Sequence, residues 1–409
     1  MLDRPVLTRL PSIDPAGHTG DVELLVAADD RTGAYETAAH LAGALGIAVP
    51  VTAWPARPEL ATTIPSQPAA PDAEGCAGHS VGVVDLGSRH LGPGEARDRS
   101  AALVTAGRHA HKIDSTLRGN WADELAAYHR PVLLVPALPV FGRVCRDGIV
   151  FDNGLPVHAS PAGTDVRRRI TSSRPADLLR SAGVAAVCDG CDPASVARWL
   201  DEPEGVCVAD VADDETIDAL VAAWRDADDE IVLAGTGVAV GRAFGGAAST
   251  GATTEVGVDG AILVVCGSVH PTSRAQLATA ERTGVTVTYI ADSISARALA
   301  RDGVLILASE IPVGDVDEPL AVAAASELAR GARSLTSAVD VAATIVIGGD
   351  TAAALIGPAT VEVRGTLGGG TAVLDVDGWP CEIVTRSGGF GDDGALVGLI
   401  GALRRPSVA

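Results

Sequence analysis

Short apolar runs recur along the chain, each closed by glycine or aspartate and followed by helical spacing, and this alternation limits the fold more than any other feature. Residues 23–28 run into Asp29-Asp30-Arg31-Thr32-Gly33 and then into a helical pattern over 34–45. Similar runs stand at 81–86, 131–136, 184–187, 206–208, 231–234, 261–266, 304–308 and 344–347, with helical patterns between most of them. Strand, polar loop and helix in alternation build a doubly wound sheet. At 409 residues the chain exceeds the size of a single core. The expectation is therefore an α/β fold of two domains, each a mainly parallel sheet flanked by helices. A stretch of small residues at 246–259 reads as the linker between residues 1–245 and residues 260–409.

Composition enters where it excludes partners. Hydrophobic residues make up 47% but aromatics only 3%, so the interior is built from Ala, Val, Leu and Ile, which suits buried parallel strands. A net charge of −21 opposes nucleic acid and anionic membranes as partners, since both require a basic face. Seven scattered cysteines read as reduced thiols rather than a disulfide framework. No apolar stretch is long enough to span a bilayer and the first thirty residues lack a signal-peptide core, so a cytoplasmic location is expected. Nothing in the pattern opposes a homo-oligomer.

Lys112 is the single lysine among 31 basic residues. A chain that uses arginine everywhere else keeps lysine where a compact point donor is needed rather than a planar fork. Asparagine occurs only at Asn120 and Asn153. Asn153 has a structural reason, because Asn153-Gly154 inside 149–157 is a type I′ hairpin signal. Asn120 shares with Lys112 the segment Lys112-Ile113-Asp114-Ser115-Thr116-Leu117-Arg118-Gly119-Asn120.

Asp29 and Asp30 end a strand, where ligands of such sheets gather. Helix capping explains one acidic residue there better than a pair. Lys112 and Arg118 can hold a carboxylate, Ser115 and Asn120 can order hydroxyls, and Asp29, Asp30 or Asp114 could take a proton during phosphoryl transfer. His158, beyond the hairpin, is a further substrate-contact candidate. Near the C-terminus, glycine-rich turns at 267–268, 348–351, 367–371 and 387–391 suit a nucleotide cradle, since glycine lets backbone N–H groups approach phosphate. No Walker sequence is present.

Other constellations carry less. Gly235-Thr236-Gly237-Val238-Ala239-Val240-Gly241 departs from the dinucleotide spacing and reads equally as a tight strand-to-helix turn. Cys188-Asp189-Gly190-Cys191 lacks the further ligands a zinc site needs. His40, His79 and His129 read as surface residues.

Taken in order, Ala28 to Ala34, Lys112 to Asn120, Gly142-Arg143 with the hairpin, Gly267-Ser268, Gly348-Gly349-Asp350-Thr351 and Ser387-Gly388-Gly389-Phe390-Gly391 resemble the four-carbon acid sugar kinase family. The resemblance implies a sugar-acid domain followed by an ATP domain, with transfer to the terminal hydroxyl of a threonate, erythronate or oxo-tetronate. It places Asp29, Asp30, Lys112, Asp114 and Arg118 in the acid-sugar pocket and adds Arg143 as a contact. Ser268, Gly349, Asp350, Thr351, Gly388 and Gly389 would hold ATP. Mg²⁺ follows from phosphoryl transfer in general, with its ligands unassigned. Arg31 and the short segment 138–143 depart from the family pattern, as do Arg386 and Gly389. Two other classes fit less well: an NAD-dependent sugar-acid dehydrogenase using the Gly235–Gly241 turn, and a nucleotide-binding sensor without turnover.

Overall fold

The computed structural model describes residues 23–54, 80–103, 108–163, 169–245, 254, 256–289, 295–311 and 318–404. Most of the proposed linker, His79 and nearly all of the connection at 55–80 lie outside the described residues. Among the described residues the strands are β1 (Glu23–Ala28), β2 (Val49–Ala53), β3 (Ser80–Asp85), β4 (His109–Lys112), β5 (Val132–Val135), β6 (Arg143–Arg146), β7 (Ile149–Asp152), β8 (Leu155–Pro156), β9 (Val187–Cys191), β10 (Val206–Ala209), β11 (Val232–Gly235), β12 (Ala261–Cys266), β13 (Thr286–Tyr289), β14 (Val304–Ala308), β15 (Val341–Ile347), β16 (Val361–Gly365), β17 (Thr371–Asp375) and β18 (Glu382–Arg386). The fold is α/β, with a large mainly parallel sheet flanked by helices, as the alternation requires. The run at 184–187 becomes a strand only from Val187, shifted to include both cysteines of the Cys188–Cys191 motif.

Fifteen strands form one sheet in the order β13-β14-β12-β15-β18-β17-β16-β2-β3-β1-β4-β11-β5-β10-β9. Two parallel sets are thus fused through β16 and β17. β16 pairs antiparallel with β2 from the N-terminal half, while β17 pairs antiparallel with β16 and β18. Three reversals leave the two parallel sets running in opposite directions along the sheet. In a flat sheet their C-terminal ends would lie on opposite edges. A twist of about 20–25° per strand, accumulated over the six steps from β1 to β15, rotates strand direction by on the order of 120–150° and turns the two sets of ends toward one cleft.

The helix Arg31–Leu45 occupies the junction. It packs against β2, β3, β16, β17 and the helices Gly237–Gly245 and Gly349–Ile356. Most of it is buried, including the polar Arg31, Thr32, Glu36 and Thr37 of its first turns. Small residues permit this, since Ala34, Ala38, Ala39 and Ala42 let neighbours approach from several sides. A single apolar core runs beneath this helix through both halves, from Val26 and Val51 to Leu263 and Val346. On the opposite face the halves keep separate cores, around Trp121 and Leu134 in one and around Val264 and Leu396 in the other.

The Gly235–Gly241 motif finds its explanation here. Gly237 and Gly241 lie on the face of their helix turned to Arg31–Leu45; a Cβ on Gly241 would overlap the His40 side chain, and one on Gly237 would stand 3.0 Å from Thr37 Oγ1. The glycines serve close helix packing. His40, read as a surface residue, is consequently packed at this contact, and burial pushes its imidazole down to about 4. His129 is exposed as expected. The hairpin of β7 and β8 turns through Asn153 and Gly154 at φ of 50° and 84°, the type I′ geometry the dipeptide signals.

Gly241→Ala should lower stability by about 1–3 kcal/mol in urea denaturation, despite the better helix propensity of alanine, because the overlap with His40 forces the helices apart. An unchanged midpoint would show that the contact has slack.

Candidate active site

Four adjacent parallel strands, β3, β1, β4 and β11, deliver their C-terminal ends to one side of the cleft. From β1 come Asp29 and Asp30, from the turn after β3 comes Arg89, and β4 ends in Lys112. Asp30 is also the cap of the helix Arg31–Leu45, accepting from the Gly33 N–H at 2.9 Å. Arg89 binds both aspartates: Nε and Nη2 reach Asp29 at 2.7 and 2.9 Å, while Nη1 and Nη2 reach Asp30 at 2.8 Å each. Its Nη2 also stands 3.7 Å from Asp114. Lys112 Nζ lies 3.4 Å from Asp29 and 3.5 Å from Asp30. A Cβ on Gly33 would overlap that ammonium, so glycine is needed where the lysine tip passes the helix.

The segment after Lys112 folds around Asp114. Arg118 donates to it from Nε and Nη2 at 2.8 and 2.9 Å, and the Thr116 hydroxyl donates as well. Buried Leu117 adopts φ 63° in this turn, a strained conformation for a branched residue that surrounding contacts must hold. Asn120 donates its amide to the carbonyls of Ser88 and Leu91 at 2.7 and 2.9 Å, fixing the turn that carries Arg89.

Electrostatics follow from burial and these partners. Burial alone would raise the Asp30 carboxyl, but Arg89, Lys112 and the Thr32 hydroxyl outweigh it and hold it down at about 2. Burial likewise opposes ionisation of Asp114, yet Arg118 and Arg89 keep it well below the usual carboxylate range. Burial pulls the Lys112 ammonium down, but Asp29 and Asp30 outweigh it and raise it. Glu36 behaves differently. It is buried in the second turn of the helix Arg31–Leu45, and none of the described hydrogen bonds or ion pairs involves it. Desolvation raises its carboxyl to about 7 against the pull of Lys112.

Three adjacent parallel strands of the other set, β12, β15 and β18, end in the glycine turns at 267–268, 348–349 and 387–389. These turns converge. A Cβ on Gly267 would overlap Thr351 Oγ1, one on Gly388 would overlap Ser268 Oγ, and one on Gly389 would lie 3.4 Å from His270. Thr351 is buried in the first turn of the helix Gly349–Ile356, where Asp350 is exposed. Arg386 lies beneath them, buried, with Nη2 donating to Gln276, which in turn holds the carbonyls of Phe390 and Asp392.

The two sides meet. Asp30, Thr32, Gly33, Glu36, Lys112, Asp114 and Ser115 share a cavity with Thr236 and Gly237 and, from the other half, Ser387 and Phe390. A Cβ on Gly349 would stand 3.2 Å from Asp30 Oδ2, so the β15 turn abuts the first set directly. Arg143 reaches Ser115 Oγ at 2.8 Å and lies over the Phe390 ring, which stacks on Phe141 at 4.5 Å. Arg31 pairs with Asp85 at 2.7 Å and donates to the Gly357 carbonyl at 3.2 Å across the junction, which gives that departure from the family pattern a structural role.

The sequence candidates therefore divide. Asp30, Lys112, Asp114 and Ser115 line the cavity; Asp29 lies behind them, and Arg118 and Asn120 hold the loops. His158 does not line the cavity and bonds to Ser173 at 2.6 Å instead. Sequence reading missed Arg89 and Glu36, and met Phe390 only as part of the 387–391 turn. For Arg89 no signal existed beyond a polar turn after a strand; Glu36 sits three residues beyond Gly33 inside what reads as an ordinary helix. Among the described residues no group of three acidic, histidine or cysteine side chains could hold a metal ion, and the Cys188–Cys191 pair gains no further ligands.

Two outcomes test this charge balance. Arg89→Met should lower stability by about 3–5 kcal/mol at pH 7, because three carboxylates lose their shared cation, and the deficit should shrink as acid protonates Asp30 and Asp114. Glu36 has a raised folded pKa, so its stabilising contribution is complete below about 4.5 and is lost as pH rises through about 7. Glu36→Gln should remove that loss and gain on the order of 2–3 kcal/mol over the parent at pH 8 in urea titrations; equal stability at pH 8 would show the carboxylate is well solvated.

Residues 24–242 match the family model described as a sugar-binding N-terminal domain. A D-threonate kinase of Bordetella bronchiseptica is 31% identical over 93% of this chain and 97% of its own length. A second D-threonate kinase, of Cupriavidus necator, is 30% identical over 64% of each chain. Crystal structures from Salmonella typhimurium LT2 and Haemophilus influenzae share the fold, with TM-scores of 0.65 and 0.58 at 20% and 17% identity, covering 92% and 90% of this chain and 98% and 97% of their own. On sequence, fold and the order of its site segments, the chain belongs to the four-carbon acid sugar kinase family.

Proposed function

We propose that the protein transfers the γ-phosphoryl group of ATP to the terminal hydroxyl of a four-carbon sugar acid of the threonate type. The observation that carries this reading is the shared cavity, with acid-sugar candidates on one wall and the Ser387–Phe390 turn of the other half on the facing wall. Lys112 and Arg143 supply positive charge for the substrate carboxylate, and Ser115 with Asp114 supplies hydrogen-bonding groups for its hydroxyls. Ser268, Gly349, Asp350, Thr351, Gly388 and Gly389 supply backbone and hydroxyl donors for phosphates at three strand ends.

Magnesium would arrive bound to the nucleotide. The cleft aspartates are engaged by Arg89, Lys112 and Arg118, and Mg²⁺ on substrate phosphates needs only one or two protein carboxylates. The dehydrogenase reading weakens, because the glycines of the 235–241 turn are used against Thr37 and His40. Among the described residues no helix is long and apolar enough to cross a membrane.

Coupled ADP release with a panel of threonate, erythronate and their oxo forms tests the reading. ADP release with at least one acid is expected, and thermal shift should show stabilisation by ATP with Mg²⁺ but not by NAD. Nucleotide binding without turnover on any acid would favour the sensor. Lys112→Arg should reduce turnover by about a hundredfold or more while folding normally, since a planar guanidinium does not fit beside Gly33. Near-parental activity in that variant would refute the role of the ammonium.

A further inference from the structure

We propose that Glu36 is the general base of the reaction, taking the proton from the accepting hydroxyl; this rests on the kinase reading above.

Glu36 lines the same cavity as Asp30, Lys112, Asp114 and Ser115, with Ser387 and Phe390 on the other half's wall. Its helix is held by packing with both halves, so the carboxylate is carried by a rigid element. Gly237 abuts it: a Cβ at 237 would stand 3.5 Å from Glu36 Cδ and 3.0 Å from Thr37 Oγ1, so the β11 turn leaves the carboxyl its place.

A carboxylate already receiving charge-assisted hydrogen bonds is a poor proton acceptor. Asp29 and Asp30 each receive a two-nitrogen contact from Arg89 and face Lys112, and Asp114 receives the same from Arg118. Glu36 has no such partner among the described hydrogen bonds and ion pairs. The charged groups acting on it are Lys112 from β4, Asp30 from the turn before its helix, Arg143 from β6 and Asp114 from the loop after β4. His40, one turn further along the same helix, is held neutral by burial. Burial and these neighbours bring the Glu36 carboxyl to about 7, near the operating pH that suits a general base.

The step balances. The hydroxyl oxygen forms a bond to the γ-phosphorus as the bond from that phosphorus to the β–γ bridging oxygen breaks. ADP leaves with that electron pair, the hydroxyl proton passes to the Glu36 carboxylate, and it then exchanges with solvent.

The test is steady-state ADP release with D-threonate and saturating ATP and Mg²⁺, across about pH 5 to 9, for the parent, Glu36→Gln and Glu36→Asp. The parent kcat should rise with pH and level off above about 7. Glu36→Gln should lose about 10²–10⁴-fold in kcat together with the acidic limb, with little change in KM for the acid. Glu36→Asp should keep a limb, displaced in midpoint, at reduced rate. A Glu36→Gln variant within tenfold of the parent, or a limb unmoved in either variant, overturns the assignment. A parent silent on every four-carbon acid overturns the kinase reading itself, and is told apart because no substitution is involved.

Discussion

Three carboxylates cannot ionise side by side in a buried cleft unless cations stand among them, and the geometry around Arg89 meets that condition. One guanidinium binds Asp29 and Asp30 in parallel two-nitrogen contacts and reaches toward Asp114, while Lys112 and Arg118 supply the remaining positive charge. Removing any cation would leave desolvated negative charge, which is far more costly than losing a solvated surface pair. The loops after β1, β3 and β4 are therefore tied to one another by charge as well as by the Asn120 amide and buried Leu86, Ile113 and Leu117.

The same arrangement sorts the acidic groups by task. Carboxylates locked onto cations stay ionised and act as fixed supports for Lys112 and Arg118. Glu36, desolvated and lacking a hydrogen-bonded partner among the described residues, titrates near neutrality a short distance away. Environments that push neighbouring carboxyls apart in this way are how one site obtains both a permanent charge and a proton acceptor.

Reading the chain alone located Asp30, Lys112, Asp114 and Ser115 because a lone lysine and a paired aspartate at strand ends are rare enough to register. Arg89 did not register, being one of many arginines, and its partners are about sixty residues away in sequence. Phe390 was legible only as part of a glycine turn, since its contact with Arg143 crosses from one half to the other. His158 bonds to Ser173 and does not line this cavity, since a hairpin tells the direction of the chain but not which side of it meets the cleft.

The sequence by itself determined the α/β class, most of the strands and the strand-end location of the polar loops, because period, turn chemistry and capping are local properties. It did not determine that both parallel sets belong to one sheet. That depends on β2 pairing with β16, residues some three hundred positions apart, whose register is set by hydrogen bonds no local pattern encodes. Only the assembled sheet, twisting over its intervening strands, brings ends that run in opposite directions to the same cleft, and only there do Glu36 and Phe390 come to share a cavity.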